Sequence, residues 1–364
     1  MGRMTGRVYL DWNATAPLRP EARATMVAAM EVCGNPSSVH AEGRAARALV
    51  ERARADVAAA VGCQPVEVVF TGGATEAAMV LERLALAGRV VVEPTAHDAL
   101  WSHHGQGLGD VAVYAMGLAN GETGVLSDLP LRGDGGWAVP GGVARALLVD
   151  ATQAVGRVPF AFGWTGAEFG VISAHKFGGP KGVGALIVRD GVDIPALATG
   201  GGQESGRRAG TENVIGIAGM AAAAVAAGRD LADGVWGRVG DLRDRMEVAM
   251  EAASPGTIFV GRGGARLPNT ICAVTPGWKG ETQVMQMDLA GFAVSAGSAC
   301  SSGKVRPSRV LTAMGFDAVA AASAVRVSIG PETGEDEAMA FVEAWGRAAA
   351  KQRARMVAAP RDAA

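Results

Sequence analysis

Lysine is scarce in this chain of 364 residues: of its 34 basic positions only 176, 181, 279, 304 and 351 are lysines. Chemistry that needs a side-chain amine therefore has few candidates. Cysteine is scarcer still, at 33, 63, 272 and 300, with no Cys-x-x-Cys pair. That excludes a disulfide scaffold and favours free thiols in a reducing, cytoplasmic setting. The opening Met1-Gly-Arg-Met-Thr-Gly-Arg7 has no apolar core, so neither a secretory signal nor a myristoylation signal is expected. Long hydrophobic runs are missing too. The longest, over 214–228, is expected to be too short and too rich in Ala and Gly to span a bilayer. A net charge of -2 gives no electrostatic case for nucleic acid.

What is present is a globular composition, 49% apolar and 19% charged, on a length that suits about two domains. A helix is expected over 21–31. Asn35-Pro-Ser-Ser-Val-His40 is a turn and cap signal before a long amphipathic helix with Leu49, Val50, Ala53, Val57, Ala60 and Val61 at helical spacing. From about 67 to 190, short apolar runs alternate with helical stretches. That pattern predicts an α/β layer fold with a mostly parallel sheet, in which ligands sit beyond the C-terminal strand ends. Thr75, His97, Asp150, Gln153, His175 and Lys176 all fall at or just past such ends.

Two stretches carry most of the chemistry. Phe70-Thr-Gly-Gly-Ala-Thr-Glu76 reads as strand, glycine turn and helix start, a place where backbone N–H groups can meet a phosphate. It is neither a Walker A loop nor a dinucleotide fingerprint, because the required spacings are absent. Ser173-Ala-His-Lys-Phe-Gly-Gly-Pro-Lys-Gly182 lies between two strand-like runs, with Lys176 at its centre. A lysine in such a turn is ordinarily a solvated one. Further on, 199–213 is a polar glycine loop with Arg207 and Arg208, suited to an anion or a subunit contact. A Pro/Gly boundary near Ser254-Pro-Gly256 opens a smaller α+β region. The expected domains are 14–255 for the larger, and 1–13 with 256–364 for the smaller.

Together several stretches resemble the cysteine desulfurase family, pyridoxal-phosphate enzymes of the class-V aminotransferase superfamily. They are Tyr9-Leu-Asp11, Gly34-Asn-Pro-Ser-Ser38, Phe70 to Glu76, Val149-Asp-Ala-Thr-Gln153, Ser173-Ala-His-Lys176 with Gly179-Pro-Lys-Gly182, Gly200-Gly-Gly-Gln-Glu204 with Gly210-Thr211, Ser298-Ala-Cys300 and Val325-Arg-Val-Ser-Ile-Gly330. They run in the family's order over nearly the whole chain. The resemblance implies a fold type I transferase, with the large mostly parallel-sheet domain holding pyridoxal 5′-phosphate and the smaller α+β domain carrying a mobile cysteine loop. It makes Lys176 the Schiff-base lysine, a role that suits an amine in a desolvated or cationic setting. Asp150 would pair with the pyridinium nitrogen, His97 would stack on the ring, and Gln153 would bond its phenolate. Thr75, Ser173 and His175 would hold the phosphate. Thr211 would reach the phosphate of a second subunit, which implies a homodimer. Arg326 would grip the substrate carboxylate with its planar fork.

The resemblance further implies that L-cysteine is the substrate and that Cys300 accepts the sulfur as a thiolate. Lys176 or His97 moves the α-proton; Cys300 attacks the substrate sulfur, leaving L-alanine and a Cys300 persulfide. The sulfur would pass to iron–sulfur assembly or thiolation acceptors, through a scaffold or carrier protein. No metal is called for. The bulkier surroundings of Cys33, Cys63 and Cys272 suit core thiols instead. Among the chain's departures from the family, the ring-contacting turn has two asparagines before Glu where this chain has Asn120-Gly-Glu122, and Ala77-Ala-Met79 follows Glu76 where the family often carries asparagines. A selenocysteine lyase or another class-V enzyme is the alternative reading; Cys300 argues against an aminotransferase, which needs no acceptor thiol. A non-catalytic assembly partner of the same fold is the alternative from another class, and the retention of Lys176, Asp150, His97 and Cys300 together argues against it.

Overall fold

Apolar pentapeptides such as Phe169-Gly-Val-Ile-Ser173 and Gly184-Ala-Leu-Ile-Val188 are buried at every position, the mark of strands covered on both faces. A computed structural model of the chain describes residues 6–297 and 307–358. The chain forms two compact units. The small unit is Met1–Ala14, Gly121–Val125 and Gly234–Ala364; the large unit is Thr15–Asn120 and Leu126–Asp233. Strand β1 (Val8–Tyr9) belongs to the small unit and is taken up with it.

In the large unit α1 (Pro20–Met30) is followed by α2 (Ala41–Val61), whose N-cap is His40; its ring accepts from the Gly43 N–H at 3.3 Å. Then come β2 (Val68–Thr71), α3 (Ala74–Ala77), α4 (Val80–Leu84), β3 (Arg89–Val92), α5 (Asp98–Trp101) and β4 (Val111–Gly117). After them follow β5 (Arg132–Gly133), β6 (Gly136–Val139), β7 (Gly142–Ala144), β8 (Ala146–Asp150), α6 (Phe162–Thr165), β9 (Phe169–Ser173), β10 (Gly184–Val188) and α7 (Val214–Ala232). Six of these strands form one sheet in the order β2-β10-β9-β8-β4-β3. Only β10 runs against its neighbours, so the sheet is mostly parallel, as the alternating pattern predicts.

Two features of the large unit differ from the sequence reading. The crossover from β4 to its parallel neighbour β8 passes through the antiparallel meander β5-β6-β7, where a helix is the usual connection. Its turns, Asp134-Gly-Gly136 and Pro140-Gly-Gly142, are hairpin signals. Buried Trp137 pins it by donating from Nε1 to Glu168 Oε2 at 3.0 Å. The second feature is α7, which is long and apolar enough to cross a membrane by length and composition, against the expectation that its run is too short. It packs on α1 and α2, and 56% of its most apolar window is buried, so it is a core helix here.

The small unit contains α8 (Val235–Ala253), β11 (Ile258–Phe259), β12 (Thr270–Val274), α9 (Gly280–Leu289), β13 (Phe292–Ala293), β14 (Ser295–Ala296), α10 (Arg309–Ala313), α11 (Ala318–Ala321), β15 (Ala324–Ser328) and α12 (Glu335–Ala358). An antiparallel sheet has the order β11-β12-β15-β14, and β1 pairs in parallel with β13. The unit begins before α8, where the Pro/Gly signal near 255 set the boundary after it. The physical reason is packing: α8 lies on α12, burying Trp236, Val239, Leu242, Met246 and Met250. Cys272, inside β12, is fully buried and its thiol is pushed well up by desolvation. Cys63 is half-buried, with its thiol pushed up to about 12 by burial and then by Glu67. Cys33 is exposed, against the expectation of a core thiol: it lies past the end of α1, outside any helix or strand.

Candidate active site

Strand register decides which residues share the C-terminal edge of the large sheet. Thr71, ending β2, stands opposite Gly184, and Gly184 stands opposite Ser173, ending β9. Asp150, ending β8, lies between Gly117 of β4 and Val171 of β9. Asp150 and Ser173 are both buried, so the edge begins with a carboxylate and a hydroxyl on adjacent strands. The Asp150 carboxylate also accepts from the Thr152 N–H at 2.9 Å, which fixes its rotamer.

Beyond β9 a single 3-10 turn, Ala174–Lys176, carries His175 and Lys176. The turn is fastened on several sides. Gly179 N–H donates to Ala174 O at 2.8 Å, and Ala174 N–H to Val183 O at 3.1 Å. Arg19 donates from Nε to Phe177 O at 2.9 Å while its Nη2 pairs with Asp230 at 2.6 Å. Gly178 has a φ of +90°, and a Cβ there would meet Arg19 Cγ at 2.6 Å, so glycine is required where Arg19 grips the turn. Lys176 is half-buried and Lys181 exposed, which separates the two lysines of this stretch. His175 Nδ1 lies 3.1 Å from Thr15 Oγ1. Burial, then the charges of Lys176, Lys181 and Arg157, pull its pKa down to about 4, so the ring is neutral at pH 7.

Gln153 sits one turn beyond Asp150. Its side-chain oxygen accepts from Arg157 Nη1, and Arg157 Nη2 donates to Lys176 O at 2.7 Å. Arg157 is only 2% exposed and joins the turn after β8 to the turn after β9. Thr75 lies exposed on α3, which packs against β9, β10 and α5. His97 is the N-cap of α5; its Nδ1 accepts from the Ala99 N–H at 3.1 Å, so its neutral form carries the proton on Nε2. Asn120 donates to Thr95 O at 2.8 Å.

Thr211 is exposed in the loop leading to α7 and has no described hydrogen bond to the other expected site residues. Its loop is tied to α3 through Arg208, which donates from Nε to Glu76 Oε1 at 2.8 Å. Burial alone would raise the Glu76 pKa, but Arg208 and the Gly72 N–H hold it below the ordinary carboxylate value. The same loop carries Glu204 and Ser205 at positive φ, anchored by buried Arg54 on the Glu204 carboxylate at 2.7 and 2.9 Å. A cavity of about 770 Å³ lies under this loop, lined by Arg47, Arg54, Val66, Gln203 and Arg207 among others; no expected site residue lines it.

In the small unit Arg326, on β15, donates from Nη2 to Asp11 at 2.8 Å and from Nη1 to Gly121 O at 3.0 Å. The other Asp11 oxygen accepts from Ser295 Oγ at 2.7 Å. The backbone of Gly121, the position where the family turn carries its second asparagine, is thus an acceptor for the Arg326 fork. Cys300 lies outside the described residues. Sequence reasoning missed two partners. Arg157 is four residues after Gln153, a spacing that puts both side chains on one face of a helical turn. Asp11 lies in a motif recognised by resemblance but was assigned no role.

The class-V aminotransferase family model matches residues 8–100 and 119–341. The chain belongs to the class-V aminotransferase family. Among curated relatives, a cysteine desulfurase of Cereibacter sphaeroides is 41% identical over 360 residues, covering 89% of this chain and 90% of the relative. An IscS-like cysteine desulfurase of Mycobacterium tuberculosis is 34% identical, covering 96% and 98%. A solved NifS-like protein superimposes with a TM-score of 0.82 at 28% identity, covering 95% of this chain and all of its own. Pyridoxal 5′-phosphate is the cofactor of this class-V family, and the edge residues fit it. A buried carboxylate stands at the end of β8 for a ring N–H, while hydroxyls at Thr75 and Ser173 and the neutral His175 ring suit a phosphate. Gly73, at φ +146°, leaves room there: a Cβ would stand 3.7 Å from Ser173 Oγ.

Proposed function

We propose that this chain is a cysteine desulfurase that converts L-cysteine to L-alanine and takes the sulfur onto Cys300. The observation that carries the proposal is Lys176 on a fastened turn, one strand over from the buried Asp150. Pyridoxal phosphate, when bound, supplies an electron sink for charge developing at the substrate α-carbon. Lys176 would hold it, with Asp150 at the ring nitrogen, Gln153 at the ring oxygen, His97 on the ring face, and Thr75, Ser173 and His175 at the phosphate. The His97 tautomer supports Lys176 as the base: with Nδ1 accepting from Ala99, Nε2 is a donor, and the Lys176 amine takes the α-proton. Arg326, aimed by Asp11 and Gly121 O, takes the substrate carboxylate.

The sulfur step belongs to Cys300. Its thiolate attacks the substrate sulfur and an S–S bond forms. The Cβ–S bond breaks with its electron pair left on carbon, and protonation there completes alanine. A homodimer in which Thr211 reaches the second subunit's phosphate is part of the proposal, as are a cytoplasmic location and a downstream protein acceptor in iron–sulfur assembly or thiolation. The test uses cofactor-loaded protein with L-cysteine and a reductant. Wild type is yellow and releases sulfide and alanine in equal amounts; Lys176→Ala loses both products. Cys300→Ser stays yellow and loses sulfide release. Full sulfide release from Cys300→Ser would remove Cys300 from the acceptor role.

A further inference from the structure

We propose that Arg157 is a positioning residue that orients the Gln153 amide as a hydrogen-bond donor toward the cofactor oxygen and ties that donor to the Lys176 peptide. A guanidinium has N–H donors only. Its contact with the Gln153 side chain therefore identifies the touching atom as the carbonyl Oε1, so the other end of the amide is the NH₂ donor. Without such a partner, the oxygen and nitrogen ends of a glutamine amide are interchangeable by a simple flip. The other arm of the fork donates to Lys176 O at 2.7 Å, so one buried side chain sets the spacing between the two turns. Arg157 is 2% exposed, which keeps its rotamer from exchanging with solvent-facing ones.

The geometry has a chemical consequence. A donor on the cofactor's ring oxygen favours its anionic form, and the proton equilibrium of the bound cofactor moves with it. An amide turned the other way would present an acceptor and repel that anion. Lysine cannot replace Arg157 here: an ammonium is a point charge without the planar fork needed to reach two fixed acceptors. The inference rests on Gln153 facing the cofactor.

The test reads the pH midpoint of the bound cofactor's visible absorption band, on protein loaded to known occupancy and folded by circular dichroism. Gln153→Ala is expected to raise the midpoint by about one unit, a tenfold change in the proton equilibrium. Arg157→Lys keeps the charge and loses the fork, and is expected to give a shift of the same sign. Arg157→Met, which also loses the charge, shifts it further. On a Gln153→Ala background Arg157→Lys should add nothing, because the effect passes through the amide. Turnover per bound cofactor falls about tenfold in Arg157→Lys with the KM for cysteine little changed. A residue that only stabilised the fold would lower occupancy and leave the loaded fraction with the wild-type midpoint. An unshifted midpoint in loaded Arg157→Lys overturns the inference while leaving the Gln153 role intact. An unshifted midpoint in Gln153→Ala overturns both. Arg157→Lys, which retains the buried cation, keeps the test open if Arg157→Met does not fold.

Discussion

Two buried arginines of the large unit hold loops in nearly the same way, yet against different partners. Arg54 donates to a backbone carbonyl, Val68 O at 2.7 Å, and to the Glu204 carboxylate. Arg157 donates to a backbone carbonyl, Lys176 O, and to the neutral Gln153 amide. At Arg54 the opposing carboxylate closes the charge locally, and the energy goes into holding Glu204 and Ser205 at φ of 49° and 56°, which side-chain-bearing residues rarely adopt. At Arg157 the described acceptors of the fork are neutral, and its charge adds to burial and to the charges of Lys176 and Lys181 in holding the His175 pKa down to about 4. One arginine fixes a backbone; the other aims a polar group and tunes its neighbours.

Breaking the two arrangements should therefore give unequal losses. Glu204→Ala removes the buried carboxylate of Arg54 and the acceptor of the Phe70 N–H, leaving only the exposed Glu51 carboxylate at 3.3 Å, and is expected to cost about 3–5 kcal/mol in denaturant unfolding. Gln153→Ala should cost less, about 1.5–2 kcal/mol in the same assay, the low end for a hydrogen bond to a charged group. Equal losses would erase the distinction. Asp11→Asn sharpens it from the small unit, where Arg326 has both a carboxylate and a carbonyl acceptor. Losing one charge-assisted bond should raise the KM for cysteine about tenfold, with a smaller change in kcat. A lower kcat at unchanged KM would speak against Arg326 as the carboxylate site.

The acid response separates neighbouring groups by pH. His175 has a folded pKa near 4 against an ordinary 6.5, so between those values the unfolded chain binds a proton that the folded chain does not. Its contribution to stability is complete above pH 6.5 and is lost as the pH falls toward 4. Glu76 is held below its ordinary value, so its contribution is present above about 4.5 and is lost as the pH falls through its folded pKa. Thermal unfolding of His175→Asn should lose the slope between pH 6.5 and 4 and keep the lower one. The smallest expected effect concerns thiols. In a Cys300→Ser chain at pH 8, exposed Cys33 should react first with a thiol reagent. Cys63, with a pKa near 12, should react slowly, and Cys272 only on unfolding.

Much of this was legible in sequence because chemistry in a doubly wound sheet clusters at strand ends, and strand ends are short-range signals. Ala146-Leu-Leu-Val-Asp150 and Phe169-Gly-Val-Ile-Ser173 placed Asp150 and the Lys176 turn without any long-range information. The meander between β4 and β8 was not legible: its strands have two to four residues, too short for periodicity to register. The exposure of Cys33 was not legible either, because burial depends on what packs over a connecting segment, which the flanking residues do not encode. Asp11 and Arg326 are 315 positions apart in sequence, and only the fold brings them together. The four-residue spacing of Gln153 and Arg157 was readable, but nothing local says that the arginine also reaches Lys176 O.

The most direct test of the desulfurase proposal is a single turnover of cofactor-loaded protein with one equivalent of L-cysteine and no reductant, read by peptide mass. The expected result is one added sulfur atom on the peptide containing Cys300, matched by one equivalent of alanine, with no addition at Cys33, Cys63 or Cys272. Alanine formed with the Cys300 peptide unmodified, or sulfur found on another cysteine, would contradict it.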